Sequence, residues 1–357
     1  MTQAKIRVGV LFGGQSAEHE ISILSARNIV AALDRSRFEP VLIGIDKQGR
    51  WLRQDEQRLI ASARDPREVR IEAGPPAPID DAAAQVDVIF PVLHGTLGED
   101  GAMQGLLEVA GIPYVGAGVL GSAVGMDKDV MKRLLRDAQI PITDFVTVRR
   151  ERFDADVAGT CARVAKLGFP LFTKPANAGS SVGIRKVKSA AELEDALRFA
   201  FRYDVKVVAE QGVTAREIEL AVLGGSPATV SVPGEIVVEH ADGFYSYDAK
   251  YLDEKGARLE LPAKLADDQV RRAQAMALHA FEVLDCDGLA RVDLFLTSDG
   301  RLLVNEINTL PGFTAISMYP KLWALSGVSQ TDLITRLIHL GLERARERTA
   351  IRRNFGP

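Results

Sequence analysis

The sequence holds little cysteine, no long apolar run and no surplus of either charge, and each shortage removes a class of protein. Its 357 residues include 2 cysteines, Cys161 and Cys286, which cannot staple a chain of this length and stand in no metal-ligand spacing. A reducing, cytoplasmic setting is therefore the default. No stretch approaches the roughly 18–20 apolar residues of a membrane span. The run Val8-Gly9-Val10-Leu11-Phe12 is too short for the apolar part of a secretion signal. Lys and Arg number 44 against 48 Asp and Glu, a net charge of −4, without the basic excess typical of nucleic-acid or anionic-lipid binders. Hydrophobic residues at 46% and charged residues at 26% exclude a disordered or low-complexity chain. No internal repeat is found. At about 150 residues per domain, the length predicts two or three domains.

What is present reads first as alternating strands and helices. Ile6 to Phe12, Pro40 to Ile45 and Val86 to Leu93 are short apolar runs of the kind that form buried parallel strands. Ala17 to Leu33 between the first two is helical in pattern, which predicts an α/β unit. Trp51 to Ala84 is charged, carries Gly74-Pro75-Pro76-Ala77-Pro78, and reads as a surface excursion. Further helices are predicted after Met126, after a Ser189/Glu192 capping box, and from Asp267-Asp268 with Val270, Ala273, Ala277, Phe281 and Leu284 inward. Leu333 to Arg348 also reads as helix, with Glu343, Arg344, Arg346, Glu347 and Arg348 on a solvated face. Acids interleaved with the bases argue against nucleic-acid binding there.

Leu289 to Asn308 is the most informative segment. Ala290, Val292, Leu294 and Leu296 alternate with Arg291, Asp293, Phe295 and Thr297, a period-2 strand, and Asp299-Gly300 signals a hairpin. A two-residue loop pairs Asp293 with Glu306, Arg291 with Asn308, Val292 with Ile307 and Leu296 with Leu303. It also puts Val304, Glu306 and Asn308 on one face, and Leu303, Asn305 and Ile307 on the other. Like charges directly opposed destabilise a sheet. The pair is read either as a solvated face or as a site for a hard cation such as Mg²⁺, which takes oxygen ligands. Asn308 in line and Arg291 alongside favour the cation.

Three loops follow strands. Lys174 ends an apolar run and precedes Ala178-Gly179-Ser180-Ser181-Val182-Gly183, whose N–H groups, hydroxyls and ammonium suit phosphate oxygens. The lysine precedes the glycines, so this is no Walker loop. Gly13-Gly14-Gln15-Ser16-Ala17-Glu18 fails the dinucleotide pattern G-x-G-x-x-G. Its Glu18 either complements a helix dipole or serves a site. His94, at the end of the Val86 to Leu93 strand, is placed either for ligand contact or for a structural hydrogen bond. His19, His240, His279 and His339 stand in no ligand or triad spacing.

Taken in order, these segments resemble the D-alanine–D-alanine ligases of the ATP-grasp superfamily over essentially the whole chain. The matching segments are Leu11 to Ser22, His94 to Gly101, Met126-Asp127-Lys128, Lys174 to Gly183 and Glu210 to Glu217. Tyr247 to Tyr251, Arg291 to Asp293 and Asn305 to Thr314 complete the set. The resemblance implies an α/β (α+β) ATP-grasp fold in three domains. Residues 1–120 would form a Rossmann-like pre-ATP-grasp domain for the first substrate, 121–214 the central ATP-grasp subdomain, and 215–357 the C-terminal catalytic subdomain.

The implied reaction joins two D-alanine molecules through D-alanyl phosphate, releasing ADP and phosphate, for peptidoglycan precursors. Glu18, His94, Arg291, Gly312 and Ser317 would contact substrate, with Glu18 on the first ammonium, Ser317 on the second carboxylate, and Arg291 with the Gly312 N–H at the oxyanion. Ser180 and Tyr251 would link Glu18 to a closing loop, Phe244 to Glu254. Lys128, Lys174, Ser181, Glu210, Val213, Glu217, Lys250 and Asn305 would bind ATP. Asp293, Glu306 and Asn308 would hold two Mg²⁺ ions, with Mn²⁺ able to substitute.

The resemblance also implies a homodimer, with neither nucleic acid nor membrane as partner. Gly212 stands where relatives often carry a bulky apolar residue, so packing beside adenine is expected to come from elsewhere. Thr173 replaces a more usual aliphatic residue. Two rival readings are a D-alanine–D-lactate ligase, against which Tyr251 speaks, and a nucleotide-binding α/β protein without ligase activity. Against the latter stand the missing G-x-G-x-x-G and the opposed acids.

Overall fold

A computed structural model describes residues 4–62, 65–225, 227–238 and 257–352. Lys250 and Tyr251, with the whole segment Phe244 to Glu254, lie outside the described residues. Three sheets follow one another along the chain. The first contains β1 (Ile6–Gly13), β2 (Phe38–Ile45), β3 (Trp51–Arg53) and β4 (Val88–Val92), in the order β3-β2-β1-β4. Among these β2, β1 and β4 run parallel, as their near-continuous apolar stretches require. Between them lie α1 (His19–Ala32), α2 (Glu56–Ala61) and α3 (Ile79–Gln85), and α4 (Ala102–Val109) and α5 (Val119–Met126) follow.

The excursion expected over Trp51 to Ala84 is instead part of this layer. Trp51–Arg53 extends the sheet edge antiparallel to β2, and Leu59, Val69 and Ala77 are buried. Its charge masks a few well-spaced apolar anchors.

The second sheet follows α6 (Lys128–Asp137) and has the order β5-β8-β6-β7, from β5 (Phe145–Arg149), β6 (Leu171–Pro175), β7 (Arg185–Val187) and β8 (Lys206–Gln211). It is antiparallel and packs its apolar face on α7 (Arg150–Ala155), α8 (Val157–Ala165) and α9 (Ala190–Ala200). Ser189 precedes α9, but its side chain does not cap it. Glu192 instead accepts from the Lys188 N–H at 2.9 Å.

The third sheet has the order β12-β11-β9-β13-β14, with β10 paired to β9. Its strands are β9 (Ala215–Leu223), β10 (Thr229–Val230), β11 (Gly234–Val238), β12 (Ala257–Glu260), β13 (Leu289–Thr297) and β14 (Leu302–Asn308). Helix α10 (Asp267–Val283) lays Ala273, Ala277, Ala280 and Phe281 on Ile218, Leu220, Val222, Val292 and Leu294 of one face. Val270 is only half-buried. The opposite face carries Glu217, Glu219, Arg291 and Asp293. Two helices close the fold: α11 (Met318–Leu325) packs on β9 of the third sheet, where the Tyr319 hydroxyl donates to Val222 O at 2.9 Å, and α12 (Gln330–Ala350) packs against the first sheet and α1.

Two local departures in the β13–β14 hairpin decide the site. The turn has three residues, Ser298-Asp299-Gly300: the Thr297 N–H donates to Arg301 O at 3.0 Å, and Gly300 takes φ +80°. Leu296 therefore pairs with Leu302, one residue away from the two-residue expectation, and Val304 turns to the buried face. A bulge at Asn305 then restores the register, so Asp293 does oppose Glu306 and Arg291 does oppose Asn308. The extra residue also brings Asn305 to the site face, opposite to its expected side.

The C-terminal charges are not all solvated either. Arg344 is 12% exposed, donates to Tyr114 O at 2.8 Å and pairs with Asp287 at 3.2 Å. Arg348 pairs with Glu108. A helix that must dock on the first layer spends two arginines on it.

Candidate active site

A cleft of about 150 Å³ opens between the second and third sheets. Lys174 ends β6 and reaches Glu210 Oε2 at 3.0 Å and Asn305 Oδ1 at 3.5 Å. Lys128 begins α6, whose N-terminus is capped by Asp127 accepting from the N–H groups of Asp129 and Val130 at 3.1 and 3.0 Å. The cap fixes Lys128, whose ammonium donates to Ala178 O at 2.7 Å and stands 4.0 Å from Glu306. Burial lowers the Lys128 pKa despite Glu306 nearby. Ser180, Ser181, Glu210, Val213, Glu217, Asp293 and Glu306 line the same cleft. Ser180 and Ser181 take φ of +47° and +60°, conformations that β-carbons disfavour, in a loop that lines the cleft.

The Gly212 expectation has a geometric counterpart. A β-carbon there would lie 2.6 Å from Pro170 O, so nothing larger fits, and Phe172, Ile184 and Leu294 supply apolar lining instead. Glu210 is buried on β8 beside Lys132, whose Nζ is 3.3 Å away, and Thr143, whose hydroxyl donates to it at 2.6 Å. Burial would raise its pKa, but Lys132 and Lys174 pull it down to about 2. Lys132 and Thr143 were not legible as site residues. Only the i+4 offset of Lys132 from Lys128 hints at a shared side.

On the third sheet, Glu219, Asp293 and Glu306 sit side by side across β9, β13 and β14. Arg291 grips Asp293 through Nε and Nη2 at 2.7 and 2.6 Å and reaches Glu219 at 3.0 Å. Burial opposes its charge, and the carboxylates of Asp293 and Glu219 more than offset that, holding its pKa well above the usual value. Asn308 Nδ2 donates to Asp293 at 3.1 Å, which leaves its amide oxygen for another partner. No group of three or more His, Cys, Asp or Glu among the described residues forms a ready-made metal cluster. Two carboxylates with an amide oxygen are nevertheless the donor set that a hard cation takes when phosphates complete its shell. Glu219 escaped sequence reasoning, although its alternation with Glu217 puts both on one strand face.

Beyond the cleft, Glu18 stands at the residue before α1 without capping it through its side chain, and is 8% exposed. Ser180 donates to its Oε1 across 162 residues of sequence. Gly95 and Gly179 crowd its other oxygen, so that a β-carbon on either would come within 2.9 or 2.7 Å of Oε2. Glu99, unassigned from sequence although it lies in the His94 to Gly101 segment, shares a small cavity with Lys128, Glu306 and Asn308. Burial, with Glu18 nearby, pushes its carboxyl up to about 8.

His94 is set apart from the cleft. Its Nδ1 meets Leu310 O at 2.9 Å and its Nε2 meets Ser25 Oγ at 3.1 Å, while Ser25 also accepts from the Phe313 N–H at 3.1 Å. Burial lowers its pKa, and its ring, through Leu310 and Ser25, braces the loop that carries Gly312. Ser317 immediately precedes α11, where its Oγ accepts from the Thr314 N–H at 3.0 Å and would lie 2.8 Å from a β-carbon on Gly312.

Comparisons with known proteins bear on the family and the fold. Residues 7–117 match the family model for the D-ala D-ala ligase N-terminus, and residues 134–339 the model for its C-terminus. D-alanine–D-alanine ligase A of Chromobacterium violaceum is 53% identical over 365 residues, covering 98% of this chain and 99% of its own. The Escherichia coli K12 enzyme of the same name is 50% identical over 362 residues, covering 95% and 96%. Among solved structures, the D-alanine-D-alanine ligase from Coxiella burnetii superposes with TM-score 0.83 at 38% identity, covering 97% and 96%. VanG D-Ala:D-Ser ligase from Enterococcus faecalis superposes with TM-score 0.80 at 32% identity, covering 95% and 100%. The two family models, the relatives at about half identity and the superposed structures show that this chain belongs to the D-alanine–D-alanine ligase family, with the ATP-grasp fold.

Proposed function

We propose that the protein joins two D-alanine molecules at the expense of ATP, forming D-alanyl-D-alanine for peptidoglycan synthesis in the cytoplasm, as a homodimer. The γ-phosphoryl of ATP passes to the carboxylate of the first D-alanine. The amine of the second attacks the acyl phosphate carbon, and phosphate leaves from the tetrahedral intermediate. Phosphoryl transfer depends chiefly on positioning and charge neutralisation. Lys128 and Lys174 serve both at the phosphates, with Ser181 and Lys250 alongside, while Glu210, Val213, Glu217 and Asn305 hold adenosine and the phosphate chain. Glu18 takes the ammonium of the first D-alanine. Ser180, which donates to Glu18, couples that event to the phosphate loop and, through Tyr251, to the closing segment. Arg291 and the Gly312 N–H stabilise the oxyanion, and Ser317 takes the second carboxylate.

Asp293, Glu306 and Asn308 would hold Mg²⁺, or Mn²⁺ in its place. Bound there, the cation would neutralise charge on the transferring phosphoryl group. Exclusion of water by the closing segment would protect the acyl phosphate. His94 acts by bracing the Gly312 loop rather than by touching substrate. The observation that carries this reading is the meeting of two carboxylates and an amide on one sheet face with two lysines across the cleft.

The test is phosphate release from MgATP with D-alanine, L-alanine, D-serine or D-lactate, with products identified by mass spectrometry. Stimulation by D-alanine alone, with a dipeptide product, is expected. Equal stimulation by L-alanine, or a depsipeptide or D-alanyl-D-serine as the main product, overturns the assignment.

A further inference from the structure

The sheet face beneath the cleft poses a conflict of partners at Asp293. Arg291 donates to Asp293 Oδ1 at 2.7 Å and to Oδ2 at 2.6 Å, and Asn308 donates to Oδ2 at 3.1 Å. Those three hydrogen bonds take up most of the roughly four lone-pair sites of the carboxylate, so a divalent cation must compete with the guanidinium for its oxygens. The guanidinium cannot simply leave. Its side chain is 18% exposed, and a buried charge stripped of its counter-charge is strongly destabilising. Glu219 lies directly across from Asp293 on β9, is 7% exposed, and forms an ion pair with Arg291, its Oε2 standing 3.0 Å from an Nε whose hydrogen goes to Asp293. Arg291 thus stands between two carboxylates on adjacent strands, only one of which belongs to the proposed cation site.

We infer that Glu219 is the positioning residue that keeps Arg291 in the site when Asp293 exchanges the guanidinium for a divalent cation. This rests on the ligase reading above and deepens it. Loading of the cation and release of Arg291 toward the reacting carboxylate are then one event. Before loading, Arg291 is masked by Asp293. Afterwards Glu219 is its anchor, and the guanidinium edge freed from Asp293 faces the substrate. A site built this way withholds its oxyanion-stabilising group until the cation has arrived.

The test measures Mn²⁺ binding to the full-length protein with ADP, by electron paramagnetic resonance of free Mn²⁺, with melting curves to confirm folding. Arg291→Lys keeps the charge but loses the two-pronged grip. It is expected to bind Mn²⁺ about tenfold more tightly, the scale of one charge-assisted hydrogen bond. Glu219→Gln should bind Mn²⁺ about fivefold more weakly, because Arg291 then clings to Asp293 alone. If Glu219→Gln fails to fold, Glu219→Asp, which withdraws the carboxylate by one methylene, should weaken binding in the same direction.

In an Arg291→Met background, Glu219→Gln should leave Mn²⁺ affinity unchanged within twofold. Undiminished weakening in that background shows that Glu219 acts only through its charge, and overturns the inference. So does an Arg291→Lys variant that binds no tighter than wild type. Wild type that binds no Mn²⁺ with ADP overturns the metal-dependent ligase reading itself and this inference with it. Normal wild-type binding without the predicted order of variants removes the exchange alone.

Discussion

Replacing Lys132 by Met isolates the contribution of a lysine that sits behind the cleft. Lys132 is 1% exposed, with Nζ 3.3 Å from Glu210 and 3.0 Å from the Thr143 hydroxyl. Against burial, Lys132 and Lys174 hold the Glu210 carboxyl at about 2 instead of 4.5. A depression of that size is worth about 3 kcal/mol at neutral pH. Lys174 and Thr143 share it, and burial pushes the pKa of Lys132 itself down, which offsets part of the gain. We assign about 1–2 kcal/mol to Lys132, equivalent to a melting temperature lower by about 2–4 °C in the Met variant.

The pH dependence gives the sharper signature. A carboxylate with a depressed folded pKa adds stability above its ordinary value, and that stability is lost as pH falls toward 2. In the variant the Glu210 pKa rises, so protonation relieves it sooner. The deficit relative to wild type should shrink between pH 7.5 and pH 4.5. Thermal unfolding at both pH values, with ATP affinity measured alongside, reads it out. An equal deficit at both would refute the pairing and leave Lys132 a packing residue.

Other perturbations test other parts of the site. Gly179→Ala forces a β-carbon within 2.7 Å of Glu18 Oε2, so kcat/KM for D-alanine should fall by about tenfold or more, roughly 1.4 kcal/mol of misplacement, while circular dichroism stays unchanged. Glu99→Gln should raise the melting temperature at pH 7–9. A carboxyl raised to about 8 favours folding below its ordinary 4.5 and loses that benefit as pH climbs through 8, whereas the amide can still accept from the Gly95 N–H, now at 2.8 Å. No gain across that range would contradict the burial argument. Arg344→Ala removes the bonds to Tyr114 O and Asp287 and should lower stability by about 2 kcal/mol. Urea unfolding checks this, with early exposure of the first sheet to proteolysis as the accompanying sign.

The hairpin shows how sequence reasoning can reach the right contact by a faulty route. Asp299-Gly300 signals a turn, but hydrogen bonding at Thr297 closes a loop of three residues. The lost residue of register returns at Asn305 because a bulge inserts there. Two departures cancel at Asp293 and Glu306 but not at Leu296, Val304 or Asn305. Period-2 patterning marks strands without fixing pairing, which depends on turn and bulge geometry.

Elements with strong periodicity, such as β1, α1, α10 and α12, were legible because their apolar stripes are local. Trp51 to Ala84 was not, because Val69 and Ala77 find their partners far along the chain. Nor were Lys132, Glu219 and the docking of Arg344. Charged residues announce exposure in a sequence and reveal their burial only when the opposite charge arrives from another strand or helix.

The helix α12 carries a consequence for how the protein is made. Leu333, Ile334, Leu337 and Ile338 join Val8, Val10, Val88 and Phe90 in one apolar core, and Arg344 reaches Tyr114 across 230 residues. The first sheet emerges from the ribosome early, yet one of its flanks stays uncovered until this late helix has been synthesised. Chaperone engagement should therefore concentrate on nascent chains that stop short of α12, and fade once that helix clears the exit tunnel.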